Sequence, residues 1–146
     1  MLEKINQLFQ KHKELILYLI FGGLTTLVDF SVSFLLYRFW IDAMQVSDAA
    51  VHVADTLAWA AAVCFAFITN RIWVFESKKQ GFLPVAKELL GFAGGRVFTL
   101  LLQEGIMAIF VTWLGGNKYL FRILAAGIVI VLNYVISKLF VFKSTK

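Results

Sequence analysis

Four long apolar stretches constrain this chain of 146 residues more than any other feature. The hydrocarbon core of a bilayer is about 30 Å thick, and a helix needs about 20 residues to cross it. No alternation of apolar and polar residues favours strands, and in lipid the backbone must satisfy its own hydrogen bonds. The sequence therefore predicts an all-α membrane protein, a single membrane domain over 1–146. Its transmembrane helices are expected over residues 15–37, 54–75, 89–113 and 120–142.

The composition excludes a soluble globular domain. Hydrophobic residues make up 60% of the chain and charged residues only 16%, whereas globular proteins average about 45–50% apolar residues. A soluble domain of this size has too high a surface-to-volume ratio to bury that much apolar area. The lone Cys64 cannot form an intrachain disulfide, and Pro84, the only proline, is expected in a loop.

The distribution of Lys and Arg predicts the orientation in the membrane, because cytoplasmic connections are enriched in these residues. Ten of the fourteen lie in the N-terminal segment, in the loop between the second and third helices, or at the C-terminal end. Both termini are therefore predicted to be cytoplasmic, with residues 1–14 as a cytoplasmic segment that is either an amphipathic helix or a frayed terminus. Tyr18 and Trp73 are expected at the inner interface. The net charge of +5 is explained by topology and anionic headgroups, so no nucleic-acid partner is expected.

An internal repeat organises the helices. Residues 70–77 and 137–144 both follow the order polar, basic, aliphatic, aromatic, Val-Phe and, one residue later, Ser. The pairs Gly22-Gly23 and Gly94-Gly95 lie at similar depths in the first and third helices. We predict two helical hairpins in tandem, a parallel repeat. Four helices of about 10 Å diameter leave little room for a ligand, and Gly91 and Gly95 permit close helix contacts, so a homo-oligomer, a dimer or higher, is expected.

Two segments resemble the hallmark segments of the GtrA-like family, and the similarity covers nearly the whole chain. They are Phe67-x-x-Asn70-Arg71-x-Trp73-Val74-Phe75 and Asn133-Tyr134-x-x-Ser137-x-x-x-Val141-Phe142. The resemblance implies a multi-pass protein of the bacterial inner membrane that moves a polyprenyl-phosphate-linked monosaccharide from the inner to the outer leaflet. It also implies a role in glycosylation of cell-surface polysaccharide or teichoic acid, with membrane glycosyltransferases of the same pathway as partners.

Basic residues in the predicted cytoplasmic half of the helices are candidates for binding the lipid phosphate. A charge at the centre of a membrane helix costs about 2.5–3.5 kcal/mol, so such residues face protein, water or a ligand. Arg96 lies deepest and is the leading candidate, with Asp29 or Glu104 as its expected resting partner. Arg71 and Lys138 occupy matching repeat positions, where they can contact one phosphate from two sides. Both also lie at helix ends, where a basic side chain can reach the interface without a ligand.

The other polar residues within the predicted helices can hydrogen-bond sugar hydroxyls or take part in proton transfer, although interhelical hydrogen bonding is an alternative use for the two asparagines. These candidates are Asp29, Glu104, Gln103, Asn70 and Asn133. His52 and Asp55 lie near Asp48 in the sequence, but no third ligand that converges with His52 and Asp55 is evident. No metal and no other cofactor is therefore expected. No nucleophile–base pair or phosphate loop is present, so we expect no enzymatic activity.

Three functions fit these features: translocation of a lipid-linked sugar, a non-transporting scaffold or accessory subunit for a glycosyltransferase, and a small proton-coupled exporter. A cation pathway should not be lined by three basic side chains, which disfavours the exporter. A scaffold gives no reason for charged residues within the third helix. Translocation is the predicted function, because it gives the charged residues of the third helix a role in binding the lipid.

Overall fold

The computed structural model of the chain describes residues 2–41 and 49–142, and these residues form helices and short connections without a strand. Four α-helices each continue into a π-helical turn, in which backbone hydrogen bonds span five residues instead of four. The segments are α1 (Leu2–Leu36) with π1 (Tyr37–Ile41), α2 (Ala49–Thr69) with π2 (Asn70–Val74), α3 (Phe82–Met107) with π3 (Ala108–Trp113), and α4 (Lys118–Ile136) with π4 (Ser137–Val141).

All four helices are long and apolar enough to cross a membrane, which confirms the predicted fold class. The spans that meet both criteria are His12–Trp40, Ala50–Val74, Phe82–Trp113 and Lys118–Val141. The cytoplasmic placement of the termini stays a prediction.

All four helices begin before the predicted spans, and α1 and α3 do so by the widest margins. The helical segment α1 starts at Leu2, with a break at His12, whose φ and ψ of −116° and 16° are non-helical. The helix α3 starts at Phe82 after Gly81, which adopts a φ of 94°. Pro84 therefore lies in the first turn of α3 and not in the loop. It is tolerated there because the first backbone N–H groups of a helix have no intrahelical acceptor.

The chain divides into two compact units, residues 1–76 and 77–146. In the first unit α1 packs on α2, and α2 presents a stripe of small residues at four-residue spacing. Its members are all at most 8% exposed: Ala50, Ala54, Ala58, Ala62 and Ala66. Small side chains let two helices approach closely, which is how membrane helices gain van der Waals contact. Tyr18 is buried against Phe75, with ring centroids 6.5 Å apart, so it belongs to the core of the unit, and its place at the inner interface stays a prediction.

In the second unit α3 packs on α4 at the level of Gly95. A Cβ at Gly95 would lie 2.9 Å from Cγ2 of Ile136, so the close approach requires glycine there. The turn between the helices contains Gly116, where a Cβ would lie 2.5 Å from the carbonyl oxygen of Phe110. The contact at Gly95 is made within one chain. Gly95 therefore does not support the prediction of contact between subunits.

The repeat found in the sequence has a structural counterpart in each unit. The turns π2 and π4 begin at the first matched residues, and the N–H groups of Phe75 and Phe142 donate to the carbonyl oxygens of Asn70 and Ser137, both at 2.8 Å. Each phenylalanine contacts a ring on the preceding helix at a similar tilt, 54° for Tyr18–Phe75 and 53° for Phe92–Phe142.

The two glycine pairs do not share this packing. A Cβ at Gly22 or Gly23 would meet no atom within 4 Å, in contrast to Gly95. When the two repeats are aligned by sequence, the ring contacts match Tyr18 to Phe92, which is two residues away from the alignment that the glycine pairs indicate.

Candidate functional site

Arg96 is a cation in a membrane-spanning helix, and its contact within the second unit is aromatic. Its guanidinium carbon lies 5.2 Å from the centroid of the Phe92 ring, one turn earlier on α3. No described carboxylate of the second unit forms an ion pair with it. Glu104, an expected partner, lies two turns further along α3, about 12 Å of helix rise away, and its side chain is exposed. A cation–π contact stabilises a cation but does not neutralise its charge.

Lys138 lies close to the level of Arg96 in the second unit. Gly95 faces Ile136, so Arg96 and Lys138 are separated by about one turn, or about 5 Å, along the antiparallel helices. The Lys138 ammonium donates to the hydroxyl of Tyr134 at 3.2 Å and its side chain is exposed. Arg71 is half-buried in π2 of the first unit. The prediction that Arg71 contacts the same phosphate stays a prediction.

A buried polar pair lies one turn beyond Arg96. Thr99 is 1% exposed and its hydroxyl donates to the Asn133 side-chain oxygen at 2.9 Å. The Asn133 side-chain nitrogen has no hydrogen-bond acceptor among the described residues. Gln103 is half-buried on the turn after Thr99. Asn133 therefore serves as an interhelical link through its oxygen and keeps its donor group for another partner.

Asn70 is a buried amide in the first unit, at the repeat position that Ser137 occupies in the second. Its side chain is 1% exposed, and its nitrogen donates to the carbonyl oxygen of Ala66 at 2.6 Å. Its side-chain oxygen is buried with no donor among the described residues. Leaving a buried acceptor unpaired costs about 1–3 kcal/mol.

Asp29 belongs to a polar group in the first unit that sequence reasoning only partly identified. Asp29 is half-buried on α1, and α1 packs on α2, the helix that carries Asp55. The Tyr37 hydroxyl donates to Asp55. Tyr37 follows Asp29 by eight residues, so both lie on one face of α1 and π1. The sequence identified Asp29 as a candidate but not Tyr37, because the contact of Tyr37 with Asp55 depends on the pairing of two helices.

Glu88 is a structural residue that sequence reasoning missed. Its side chain is 1% exposed, and its Oε1 accepts from the Ser77 hydroxyl at 2.7 Å and pairs with the Lys79 ammonium at 3.4 Å. The carboxylate thus holds residues 77–79 against the start of α3. The sequence offered only the charge of Glu88 as a signal, and that signal was misleading. A Glu beside three lysines in a loop is expected to lie in solvent.

Metal binding has no support among the described residues, where no group of three or more His, Cys, Asp or Glu side chains could hold an ion. Asp48, considered above with His52 and Asp55, lies outside that part of the chain.

The comparisons with known proteins identify the family. Residues 17–142 match the family model described as GtrA/DPMS, transmembrane domain. The chain belongs to this family. The match contains all the intramembrane polar residues discussed above, and it confirms the resemblance found in the hallmark segments around Asn70 and Asn133.

Curated relatives cover almost the full chain of this GtrA/DPMS-family protein. It is 38% identical over 130 residues to the uncharacterized membrane protein YwcD of Bacillus subtilis (strain 168), with 89% of this chain and 97% of the relative aligned. It is 33% identical over 146 residues to the cell wall teichoic acid glycosylation protein GtcA of Listeria innocua, with 100% and 96% aligned. The protein of the same name from Listeria monocytogenes (strain EGD-e) is 34% identical over 145 residues, with 99% and 95% aligned. No solved structure matches the chain.

Proposed function

We propose that this protein translocates a polyprenyl-phosphate-linked monosaccharide from the inner to the outer leaflet of the bacterial plasma membrane. The lipid-linked sugar would then serve glycosylation of teichoic acid or another cell-surface polysaccharide. The observation that carries the proposal is Arg96, a cation within a membrane span whose charge no described carboxylate of its unit neutralises. An intramembrane charge of this kind needs an anion, and membrane proteins retain such residues for function.

A phosphate diester suits Arg96 chemically. The planar guanidinium fork can donate two parallel hydrogen bonds to two phosphate oxygens, which also fixes the orientation of the headgroup. Lys138, about one turn away along the helices, adds a second positive charge, and the side-chain nitrogen of Asn133 adds a neutral donor. The relatives named for teichoic acid glycosylation support the choice of a lipid-linked sugar over other anionic lipids.

The proposal includes partners. A translocase would deliver its lipid to membrane glycosyltransferases of the same pathway. The described residues supply four spanning helices, and four helices of about 10 Å diameter leave little room for both a sugar and an isoprenoid chain. We therefore keep the homo-oligomer as part of the proposal.

Reconstitution into vesicles tests this function directly. Purified protein is incorporated into liposomes that contain radiolabelled polyprenyl-phosphate-sugar, and an impermeant reagent that oxidises sugars measures the fraction exposed outside. We expect protein-dependent exchange between leaflets, with Arg96→Ala reducing it to the rate of empty vesicles. Normal glycosylation in cells combined with no exchange by the wild-type protein would favour the scaffold.

A further inference from the structure

The buried amide of Asn70 has two halves with different surroundings. Its nitrogen donates to the carbonyl oxygen of Ala66 at 2.6 Å, and the Thr69 hydroxyl lies 3.1 Å from the same oxygen. The α-helical hydrogen-bond register ends here, because the Asn70 carbonyl bonds to Phe75, five residues on. Two side chains thus cover the carbonyl at the junction between α2 and π2. The Thr69 hydroxyl has one proton and lies closer to the carbonyl oxygen of Phe65, at 2.9 Å, so the nitrogen of Asn70 makes the shorter contact with the Ala66 oxygen.

The oxygen of the same amide is not explained by the helix. It is buried, and no described residue donates to it. A side-chain amide oxygen only accepts hydrogen bonds, so its missing partner must carry a donor. Native structures pair nearly all buried polar atoms, and an exception needs a specific explanation.

The components of a lipid-linked sugar differ in whether they can supply that donor. A phosphate diester is ionised near neutral pH and carries no proton, and an isoprenoid has no polar hydrogen. Only the sugar has hydroxyl groups. We propose that the side-chain oxygen of Asn70 accepts a hydrogen bond from a sugar hydroxyl of the translocated lipid, which makes Asn70 a specificity-determining residue. This inference rests on the proposed function and assigns Asn70 to the sugar rather than to the phosphate.

The location of Asn70 indicates how a sugar reaches it. At 1% exposure the side chain is covered, so contact requires movement of the helix end. The turn π2 begins at Asn70, and π-helical turns are local departures from the α register that are frequent at functional sites. Trp73 in this turn stacks on Phe21 of α1 with centroids 5.4 Å apart. Separation of these rings would let π2 move away from α1, which is the kind of movement that the inference requires.

Binding measurements on the full-length protein in nanodiscs test this assignment. The probes are polyprenyl phosphates bearing a hexose or an N-acetylhexosamine, the monodeoxy analogues of the one that binds best, and unglycosylated polyprenyl phosphate. Asn70→Leu keeps the approximate size but removes the acceptor. Thr69→Val is the matched control, because it removes a hydroxyl that lies near the carbonyl oxygens of Phe65 and Ala66 at the same helix end and leaves the amide intact.

We expect Asn70→Leu to weaken binding of the sugar-bearing lipid about 10- to 100-fold, the range for a buried hydrogen bond. Binding of the unglycosylated lipid should be unchanged, and Thr69→Val should change neither. One monodeoxy analogue should bind the wild-type protein as weakly as the full sugar binds Asn70→Leu, with no further loss in the variant. If Asn70→Leu fails to insert, Asn70→Ser, whose hydroxyl is one bond shorter, should show the same selective loss.

Three other results contradict the inference. Equal weakening of glycosylated and unglycosylated lipids by Asn70→Leu, matched by Thr69→Val, would make Asn70 a structural residue of the helix end. Wild-type binding of the sugar lipid that neither an Asn70 variant nor any deoxy analogue weakens would overturn the assignment and leave the proposed function intact. Failure of the wild-type protein to bind any sugar-bearing lipid would overturn the proposed function together with it.

Discussion

The hydroxyl of Thr99 lies 2.9 Å from the side-chain oxygen of Asn133 and links α3 to α4 in the second unit. The same hydroxyl lies 3.1 Å from the carbonyl oxygens of Gly95 and Arg96. It has one proton and three acceptors within reach, so the interhelical bond competes with two bonds inside α3. The link positions the helices without contributing a large share of the stability.

A double-mutant cycle measures this link. Thr99→Val and Asn133→Leu should each lower the free energy of unfolding, with a coupling energy of about 0.6 kcal/mol and no more than about 1.7, the range found for such bonds in membrane proteins. Reversible unfolding in mixed micelles with increasing dodecyl sulfate gives the four free energies. A coupling within error of zero would show that the two side chains do not bond in the membrane.

Gly95 should tolerate no side chain, in contrast to its neighbour Gly94. A Cβ at Gly95 would lie 2.9 Å from Cγ2 of Ile136, a β-branched residue with little freedom to move. We expect Gly95→Ala to lower the free energy of unfolding by about 1–3 kcal/mol through overpacking. Gly94→Ala meets no atom within 4 Å and should be neutral or stabilising, because alanine favours the helix. In the Gly95→Ala background, Ile136→Ala should restore most of the lost free energy of unfolding. In the wild type, Ile136→Ala should not stabilise the protein.

Glu88 and Glu76 provide a comparison between a buried and an exposed carboxylate that pair with lysine. The Glu88 side chain is 1% exposed and pairs with Lys79, whereas the Glu76 side chain is 63% exposed and pairs with Lys13 at 2.9 Å. Glu88→Ala leaves the Ser77 hydroxyl and the Lys79 ammonium without their carboxylate and should cost about 1–3 kcal/mol. Glu76→Ala should cost about 0–1 kcal/mol. Thermal unfolding in detergent compares them, and equal losses would contradict the burial of Glu88.

The orientation prediction has a direct test with reporter fusions. A reporter attached after Lys146 and one inserted between Lys78 and Lys79 should both report a cytoplasmic location, because the surrounding segments carry most of the Lys and Arg residues. A reporter near Asp48 should report the outside. Alkaline phosphatase and green fluorescent protein give opposite signals on the two sides. A C-terminus outside the cell would contradict both the charge argument and the parallel repeat.

The helices were predictable from sequence because the bilayer imposes one length and one backbone solution on every span. The repeat was also visible in the sequence as the match between residues 70–77 and 137–144. In the described part of these segments, which ends at residue 142, each match begins with a π-helical turn. Helix starts were less predictable. Pro84 and the polar residues near it resemble a loop, yet α3 begins at Phe82 because a proline is compatible with the first turn of a helix.

The pairing of side chains across helices lay beyond the sequence. Helical periodicity places Asp29 and Tyr37 on one face, but only the packing of α1 on α2 brings Asp55 to Tyr37. The same limit applied to Arg96, for which the sequence offered Glu104 two turns away and the structure supplies Phe92 one turn away. Charge complementarity suggests partners along a helix, whereas distance and rotamer decide which of them is reached.

Substitution of Arg96 is the most direct mutational test of the proposed function. Its guanidinium lies against Phe92 and, in its own unit, no described carboxylate neutralises it. Loss of one partner from a buried, charge-assisted contact costs about 2–5 kcal/mol, which corresponds to at least about 30-fold in affinity. Arg96→Ala should therefore abolish glycan modification in cells while the protein still inserts, and should weaken binding of polyprenyl phosphate with or without a sugar. Arg96→Lys should rescue only in part, because an ammonium cannot form the bidentate contact.

Arg122 supplies the matched control for this substitution. It is an exposed arginine near the start of α4, so Arg122→Ala removes the same charge without touching the proposed phosphate contact. Membrane levels of both variants, measured by immunoblot, separate a binding defect from loss of the protein. We expect cells that carry Arg122→Ala to show normal glycan modification. If Arg96→Ala is present at wild-type levels and binds and transports normally, Arg96 is a structural residue and its contact with Phe92 is its whole role.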